Sequence, residues 1–156
     1  MHPNMKKEYS EKEALSRAAS LCSAGEQCVS QIEEKLQRWG VDPEAQQRII
    51  NQLVEEKYID EQRFANAYAK DKLRYNHWGR VKIALYLRQL GIASSLIRQA
   101  LDKLPNDEYF KILTHLIESK TTSVKASSDY EQRGKLIRFA LGRGFEMDEI
   151  LEALRL

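Results

Sequence analysis

Three stretches of the sequence superimpose on a glycine, and together they decide the fold. They are IEEKLQRWGVDPEAQQRIINQL (residues 32–53), IALYLRQLGIASSLIRQALDKL (residues 83–104) and LIRFALGRGFEMDEILEALRL (residues 136–156). The shared anchors are Gly40, Gly91 and Gly144, spaced by 51 and 53 residues. Apolar residues stand eight and four positions before each glycine and directly after it. This pattern predicts a helix that ends at a left-handed glycine, with the following apolar residue packed back on its last turn.

A further helix is predicted on either side of each of these turns. Asp42 followed by Pro43 has the pattern of an N-cap with proline at the first helical position. Amphipathic runs that begin at residues 10, 60 and 106 supply the first helix of each unit. The predicted caps are the capping boxes Ser10 with Glu13 and Ser128 with Glu131, and the single caps Asp60 and Asn106.

We therefore predict an all-α fold of three tandem three-helix repeats, at residues 1–57, 58–104 and 105–156, the first with a short N-terminal extension. One such repeat is too small to bury its apolar faces well, so neighbouring repeats should stack into a curved, elongated array. The Ser/Thr-rich segment 120–129 is predicted to be a mobile loop.

The composition favours a folded, highly charged helical protein without catalytic chemistry. Of the 156 residues, 42% are hydrophobic and 31% charged. The sequence contains no phosphate-binding GxxxxGK[ST] loop, HExxH or GxSxG motif, which predicts no enzyme and no cofactor. The GRG at residues 142–144 is interpreted as a helix end. Cys22 and Cys28 are predicted to be buried thiols, because the three histidines are too scattered to complete a zinc site.

The expected location is the cytoplasm. The N-terminal segment MHPNMKKEYSEKEAL lacks the apolar core of a signal peptide. No run approaches the roughly 18 apolar residues of a membrane-spanning helix. We expect a monomer that does not bind membranes.

Positive charge is concentrated in the middle of the chain. The net charge is only +2, yet residues 63–103 hold nine basic and two acidic side chains. Such a block can attract phosphates or an acidic protein surface. The candidate contact residues for a partner or DNA are Lys70, Lys72, Arg74, Arg80, Lys82, Arg88, Tyr75 and Trp78. The alternatives are a solvated basic face and, for the two aromatic residues, packing in the core.

The stretch from Tyr58 to Ile92 resembles the RecX family. The matching residues, in order, are Tyr58, Ile59, Asp60, Glu61, Arg63, Phe64, Ala65, Tyr68, Gly79, Ile83, Leu87, Gly91 and Ile92. Their order and spacing carry the resemblance. The interpretation favoured for Asp60, Arg63, Phe64 and Tyr68 is structural, as a capped helix whose aromatic face packs inward.

The resemblance implies a regulator in DNA repair and SOS control. Such a protein would bind the filament of the RecA recombinase on DNA and inhibit its ATP hydrolysis, strand exchange and coprotease activity, with at most weak, salt-sensitive contact to DNA. Because three-helix units can act as helix-turn-helix domains, a stand-alone DNA-binding protein is the alternative. A scaffold for another helical partner is a third interpretation.

Overall fold

The structure, a computed structural model of the chain, describes residues 9–155. Nine α-helices run through these residues, and their order confirms the predicted all-α repeat fold. The helices are α1 (Glu11–Ala24), α2 (Val29–Arg38), α3 (Pro43–Glu55), α4 (Glu61–Asn76), α5 (Arg80–Gln89), α6 (Ser94–Asp102), α7 (Asn106–Thr121), α8 (Asp129–Gly142) and α9 (Met147–Leu154). The N-terminal extension lies largely outside the described residues.

The glycine turns form as predicted. Gly40, Gly91 and Gly144 have φ angles of 74°, 82° and 98°, in the left-handed region where a side chain is strained. The residues that follow them are buried: Val41, Ile92 and Phe145 are 8%, 4% and 1% exposed. In the first and third repeats the amide after the glycine donates to the carbonyl five residues earlier, at 3.1 Å and 3.2 Å. This bond closes the last helical turn.

The predicted caps of α1, α3 and α4 are confirmed. Ser10 Oγ accepts from the Glu13 amide at 3.1 Å, and Glu13 accepts in return from the Ser10 amide at 3.2 Å. Asp42 accepts from the Ala45 amide at 3.0 Å, with proline at the first helical position. Asp60 accepts from the amide three residues later at 3.0 Å. Each cap satisfies a backbone donor that the helix leaves unpaired.

Two cap predictions were wrong in part or in full. Asn106 is not an N-cap, because α7 begins at Asn106 itself and Pro105 takes the cap position. Ser128 does accept from the Glu131 amide, at 3.1 Å. The Glu131 carboxylate, however, accepts from the amide and hydroxyl of Ser127, one residue earlier than a capping box requires.

Two helices end at a non-glycine residue in the left-handed conformation, which the sequence analysis did not predict. Lys57 after α3 and His77 after α4 have φ angles of 64° and 57°. The amide of Ile59 donates to the Leu53 carbonyl at 3.1 Å, and that of Trp78 to the Lys72 carbonyl at 3.1 Å. These bonds span six residues, one more than those of the glycine turns, and the left-handed conformation has a steric cost at lysine and histidine that it lacks at glycine.

Helix contacts group the described residues into two compact units. The first ends at Phe64 and also takes in Leu90–Ile92, and the second consists of Ala65–Gln89 and the chain from Ala93 onward. In the first unit α1, α2 and α3 pack on one another around Ile32, Leu36, Ile49 and Leu53. In the second α7, α8 and α9 pack mutually, α5 packs on α6, and the largest buried side chains include Leu73, Ile83, Leu87, Leu113, Phe145 and Ile150. Each such residue stabilises the fold by about 1.5–3 kcal/mol.

Two further predictions concern the cysteines and the segment between α7 and α8. Cys22 and Cys28 are buried and not disulfide-bonded, which confirms the thiol interpretation. Helix α7 continues to Thr121, so the segment between α7 and α8 is residues 122–128, shorter than the loop predicted at 120–129. Its mobility and the repeat boundaries at 57/58 and 104/105 stay predictions.

Candidate partner-binding surface of the second repeat

Arg74, one of the predicted contact residues, has its charge balanced within the protein. Its Nε and Nη2 donate to the two carboxylate oxygens of Glu108 on α7, at 2.6 Å and 3.0 Å. Its guanidinium lowers the pKa of Glu108 below its ordinary value, and the pair is exposed to solvent. Such a two-pronged contact holds both side chains in one geometry. Arg74 therefore offers little uncompensated charge to a partner.

Arg80 is held still more completely. Its guanidinium lies 3.9 Å from the centre of the Tyr109 ring and 3.4 Å from a carboxylate oxygen of Glu149. It also donates to the side chain of Asn106 at 3.1 Å and to the carbonyl of Leu101 at 3.4 Å. Only 25% of the side chain is exposed. These contacts tie the start of α5 to α6, α7 and α9.

Tyr109 completes this network from inside the core. It is 2% exposed, and burial raises the pKa of its hydroxyl. The hydroxyl accepts from the Arg80 amide at 3.0 Å and donates to Glu149 at 3.2 Å. A buried tyrosine hydroxyl with both a donor and an acceptor partner is fully satisfied. The network is a structural part of the second unit.

The backbone before α5 also packs tightly against the turn between α8 and α9. The Gly79 amide donates to the Arg143 carbonyl at 2.8 Å, and the Val81 amide to the Gly144 carbonyl at 3.0 Å. A Cβ added at Gly79 would lie 2.4 Å from the Gly144 carbonyl carbon. Only a residue without a side chain allows this approach. This close approach explains why position 79, which belongs to the family pattern, is a glycine.

Lys72 and Lys82 come from different helices and meet at one aromatic ring. Their Nζ atoms lie 5.0 Å and 4.8 Å from the centre of the Trp78 ring, and that of Lys72 also lies 5.3 Å from the Tyr68 ring. The Trp78 ring lies 4.8 Å from that of Tyr86, tilted by 34°. We name Lys72, Trp78, Lys82 and Tyr86 the cationic–aromatic cluster.

The charges of this cluster are available to a partner. Among residues 9–155, neither Lys72 nor Lys82 has a carboxylate oxygen within 4.0 Å of its Nζ. Contact with an aromatic face attracts an ammonium group but leaves its net charge in place. Tyr86 is 38% exposed and Trp78 is half-buried, so ring surface accompanies the two charges. Tyr86 was not among the predicted contact residues.

The remaining predicted contact residues are exposed on α4 and α5. Lys70 and Tyr75 on α4 are exposed, Tyr75 to 78%, so core packing does not account for Tyr75. Lys70 acts electrostatically on Glu108, which places it near the pair formed by Arg74. Arg88 is exposed on α5 and lines a cleft between α5 and α6. The exposed members of the predicted set thus come from both α4 and α5.

The family-pattern residues at the start of α4 have internal partners. Arg63 pairs with Glu26 and donates to the carbonyls of Lys57 and Tyr58. Glu61 accepts from the Val29 amide at 3.1 Å. These contacts stabilise the first unit.

The aromatic residues of that pattern differ in burial. Phe64 is 5% exposed, Tyr58 is 37% exposed, and burial raises the pKa of Tyr68. The structural interpretation of Asp60, Arg63 and Phe64 agrees with their contacts.

No cluster of three or more histidine, cysteine or carboxylate side chains in the described part of the chain could hold a metal ion. No described helix combines the length and apolar character needed to cross a membrane.

Comparison with known proteins identifies the family. The model of the second three-helix domain of RecX matches residues 60–101, and that of the third matches residues 107–154, together more than half of the chain. A regulatory protein RecX from Vibrio parahaemolyticus is 30% identical over 137 residues, which are 88% of this chain and 86% of that protein. The chain belongs to the RecX family. The regulatory protein RecX of Leuconostoc citreum is 29% identical over 135 residues, 86% of this chain but 51% of that protein. The chain thus spans about half the length of several curated RecX relatives.

Solved RecX structures share the fold. The crystal structure of RecX from Lactobacillus salivarius superimposes with a TM-score of 0.83 at 20% identity, over 93% of this chain and 94% of that one. A second crystal structure, of a regulatory protein RecX, gives a TM-score of 0.82 at 19% identity. At these identities the likeness concerns the arrangement of helices, which it confirms as the RecX arrangement.

Proposed function

We propose that this chain binds the filament of the RecA recombinase on DNA and lowers its ATP hydrolysis, strand exchange and coprotease activity, as a regulator of DNA repair and the SOS response. Its relatives carry the name regulatory protein RecX, which supports a regulatory role. In this proposal the chain is a cytoplasmic monomer that performs no covalent chemistry. It acts by binding one state of the filament more tightly than another, and its effect is limited by that difference in affinity.

The observation that carries the proposal is the cationic–aromatic cluster. A filament on DNA presents phosphates and a protein surface, and the cluster combines two uncompensated ammonium groups with exposed ring edges. Ammonium groups contact phosphates or carboxylates, and aromatic rings anchor in protein pockets or stack on bases. Weak, salt-sensitive contact with DNA is part of the proposal.

The test is a titration of DNA-dependent ATP hydrolysis by the cognate recombinase on single-stranded DNA, at low and high salt. We expect inhibition by the wild-type chain. The double variant Lys72→Ala/Lys82→Ala should need about tenfold more protein for the same inhibition at low salt, because both charges that face the partner are lost. A matched control, Lys12→Ala/Lys111→Ala, removes the same charge from exposed positions on α1 and α7 and should behave as wild type.

No inhibition by an excess of the wild-type chain would overturn the proposal. If the chain instead bound one duplex sequence with an affinity that survived high salt, the stand-alone DNA-binding function would replace it. Inhibition that is equally strong in the double variant would leave the regulator standing and exclude the cationic–aromatic cluster as its contact surface.

A further inference from the structure

One side of α5 exposes apolar side chains in a row. Val81 and Leu85 are 50% and 46% exposed, and they are neighbours because they stand four residues apart on a helix. Arg88 follows three residues later on the same row and is also exposed. Single exposed apolar residues are common, whereas contiguous exposed apolar surface is typical of interaction sites.

The fold itself does not require this row to be apolar. Val81, Leu85 and Arg88 stand ten, six and three residues before the glycine that ends the helix. The corresponding residues are Ser30, Glu34 and Gln37 in α2 and Gly134, Arg138 and Leu141 in α8. Because α2 builds the same helix and the same glycine turn with serine and glutamate, neither the helix nor the turn requires valine and leucine at these positions.

A groove of about 320 Å³ runs beside this row, between α5 and α6. Its apolar lining comes from Val81, Ala84 and Leu101. The concave shape next to an exposed apolar row is the geometry in which a helix lays its apolar face.

The charges around the groove differ from one end to the other. Arg80 donates to the Leu101 carbonyl, so the start of α5 lies beside the end of α6, where Asp102 and Glu146 line the groove. Arg88 lines it near the end of α5, and Arg98 lines it from the middle of α6, one turn before Asp102. Helix α5 itself carries three cations and no carboxylate. A partner that places acidic residues against Arg88 and Arg98 is therefore complementary.

We propose that this groove docks a helix of the partner protein, with apolar side chains along the α5 row and carboxylates against Arg88 and Arg98. The identity of the partner rests on the proposed function, so the helix belongs to the protein subunit of the filament. Nucleic acid does not fit this row, since Val81 and Leu85 offer nothing to phosphates. In this proposal the groove supplies the apolar contact together with two arginines, and the cationic–aromatic cluster supplies a separate electrostatic contact.

The experiment measures binding of the labelled chain to recombinase filaments on poly(dT) with a non-hydrolysable ATP analogue, by fluorescence anisotropy at low and high salt. In Val81→Ser/Leu85→Glu the row takes the residues of the first repeat. We expect the Kd to rise by about tenfold or more at high salt, because the lost apolar contact is not screened, and to rise further at low salt, because the introduced carboxylate repels the acidic groups of the partner. The control Val54→Ser changes a side chain that is 46% exposed on α3, and its Kd should stay within about twofold of wild type.

A second variant tests the charges and guards against a folding defect. Arg88→Glu/Arg98→Glu changes two exposed residues and should weaken filament binding mainly at low salt. Circular dichroism checks that each variant is helical. If folded Val81→Ser/Leu85→Glu binds filaments with a Kd within about twofold of wild type, the proposal that the groove docks a partner helix is wrong. The proposed function would then remain intact.

Failure of the proposed function gives a different result, since the wild-type chain would then not bind filaments at all. The groove is tested in that case with a short synthetic helix that has leucines along one side and glutamates at one end. Binding by the wild-type chain and loss in Val81→Ser/Leu85→Glu would support the groove, and no binding by the wild-type chain would overturn it too.

Discussion

The start of α5 and the cationic–aromatic cluster belong to the same basic segment, but the structure uses them in opposite ways. Arg80 is surrounded by a ring, a carboxylate and a carbonyl, and the backbone of Gly79 is bonded to the α8–α9 turn. Lys82, two residues further, rests on the Trp78 ring, and no carboxylate oxygen of residues 9–155 lies within 4.0 Å of its Nζ. A count of basic residues therefore overstates the charge available to a partner, because some of the cations are already paired with groups of the protein itself.

The largest effect is expected for Gly144→Ala, which tests the close packing between the α8–α9 turn and the start of α5. The new Cβ would lie 2.4 Å from the Lys82 Cβ, and the φ of 98° is itself unfavourable for alanine. We expect the free energy of unfolding to fall by about 2–5 kcal/mol, from backbone strain together with overpacking. Urea unfolding followed by circular dichroism measures the loss.

Gly91→Ala is the matched control for this change. Gly91 has a similar φ of 82°, but nothing lies within 4 Å of an added Cβ. Only the backbone cost of about 1–2 kcal/mol should remain. Equal losses in the two variants would mean that the approach between the Gly144 turn and α5 is not tight in solution.

The next largest effect is expected for Arg80→Ala. It removes the cation from the Tyr109 ring and leaves Glu149, whose side chain is 20% exposed, without its guanidinium partner. Breaking a fully buried pair costs about 3–5 kcal/mol, and partial exposure reduces this to about 2 kcal/mol here. Thermal and urea unfolding measure it. The exposed Arg88→Ala should change stability by less than about 0.5 kcal/mol, and a similar loss in both would contradict the assigned role of Arg80.

The helices could be predicted from the sequence because their signals are local. The glycine at each turn, the apolar residues around it and the cap at Asp42 all lie within one or two helical turns of one another. Where a local pattern admits two outcomes the prediction failed, as at Asn106, whose side chain contacts Arg80 and does not cap α7. The ends of α3 and α4 were missed because lysine and histidine do not signal a left-handed turn.

The candidate surface was less predictable, since compensation of charge is a long-range property. Arg74 and Glu108 are 34 residues apart, and Arg80 and Glu149 are 69 apart, so the sequence cannot tell these cations from Lys72 or Lys82. One signal for Tyr86 was present, because it follows Lys82 by four residues and so shares its helix face. The charge count marks the basic segment but does not separate the cations that are compensated within the protein from those that are not.

The salt dependence of DNA binding tests whether the two lysines of the cationic–aromatic cluster contact phosphates. The sequence has two tryptophans, and the background substitution Trp39→Phe leaves Trp78 as the single tryptophan. Quenching of its fluorescence by poly(dT) then reports contact at the cluster. Each phosphate contact to a single strand contributes about −0.7 to the slope of log K against log salt. We expect Lys72→Ala/Lys82→Ala to flatten the slope by about 1.4, with affinity lower by about tenfold at low salt. An unchanged slope would show that other cations contact the DNA.

The smallest effect is expected where a compensated cation is released. Glu108→Gln removes the carboxylate that holds Arg74, so the affinity for poly(dT) or filaments at low salt should rise by about two- to threefold, a change within the modest value of one exposed charge. Anisotropy titrations measure this rise. The matched control Glu118→Gln changes an exposed carboxylate elsewhere on α7 and should have no such effect.

The same variant carries a prediction about acid stability. The Arg74 guanidinium lowers the pKa of Glu108 below its ordinary 4.5 in the folded chain. A carboxyl of this kind stabilises the fold above the pKa of the unfolded chain, and this contribution is lost as the pH falls from 4.5 through the lower folded pKa. Wild type should therefore lose more stability than Glu108→Gln below pH 4.5, while the difference between the two stays constant above about pH 5.5. A constant difference across the acid range would show that Arg74 and Glu108 are not paired in solution, and Arg74 would then count among the available cations.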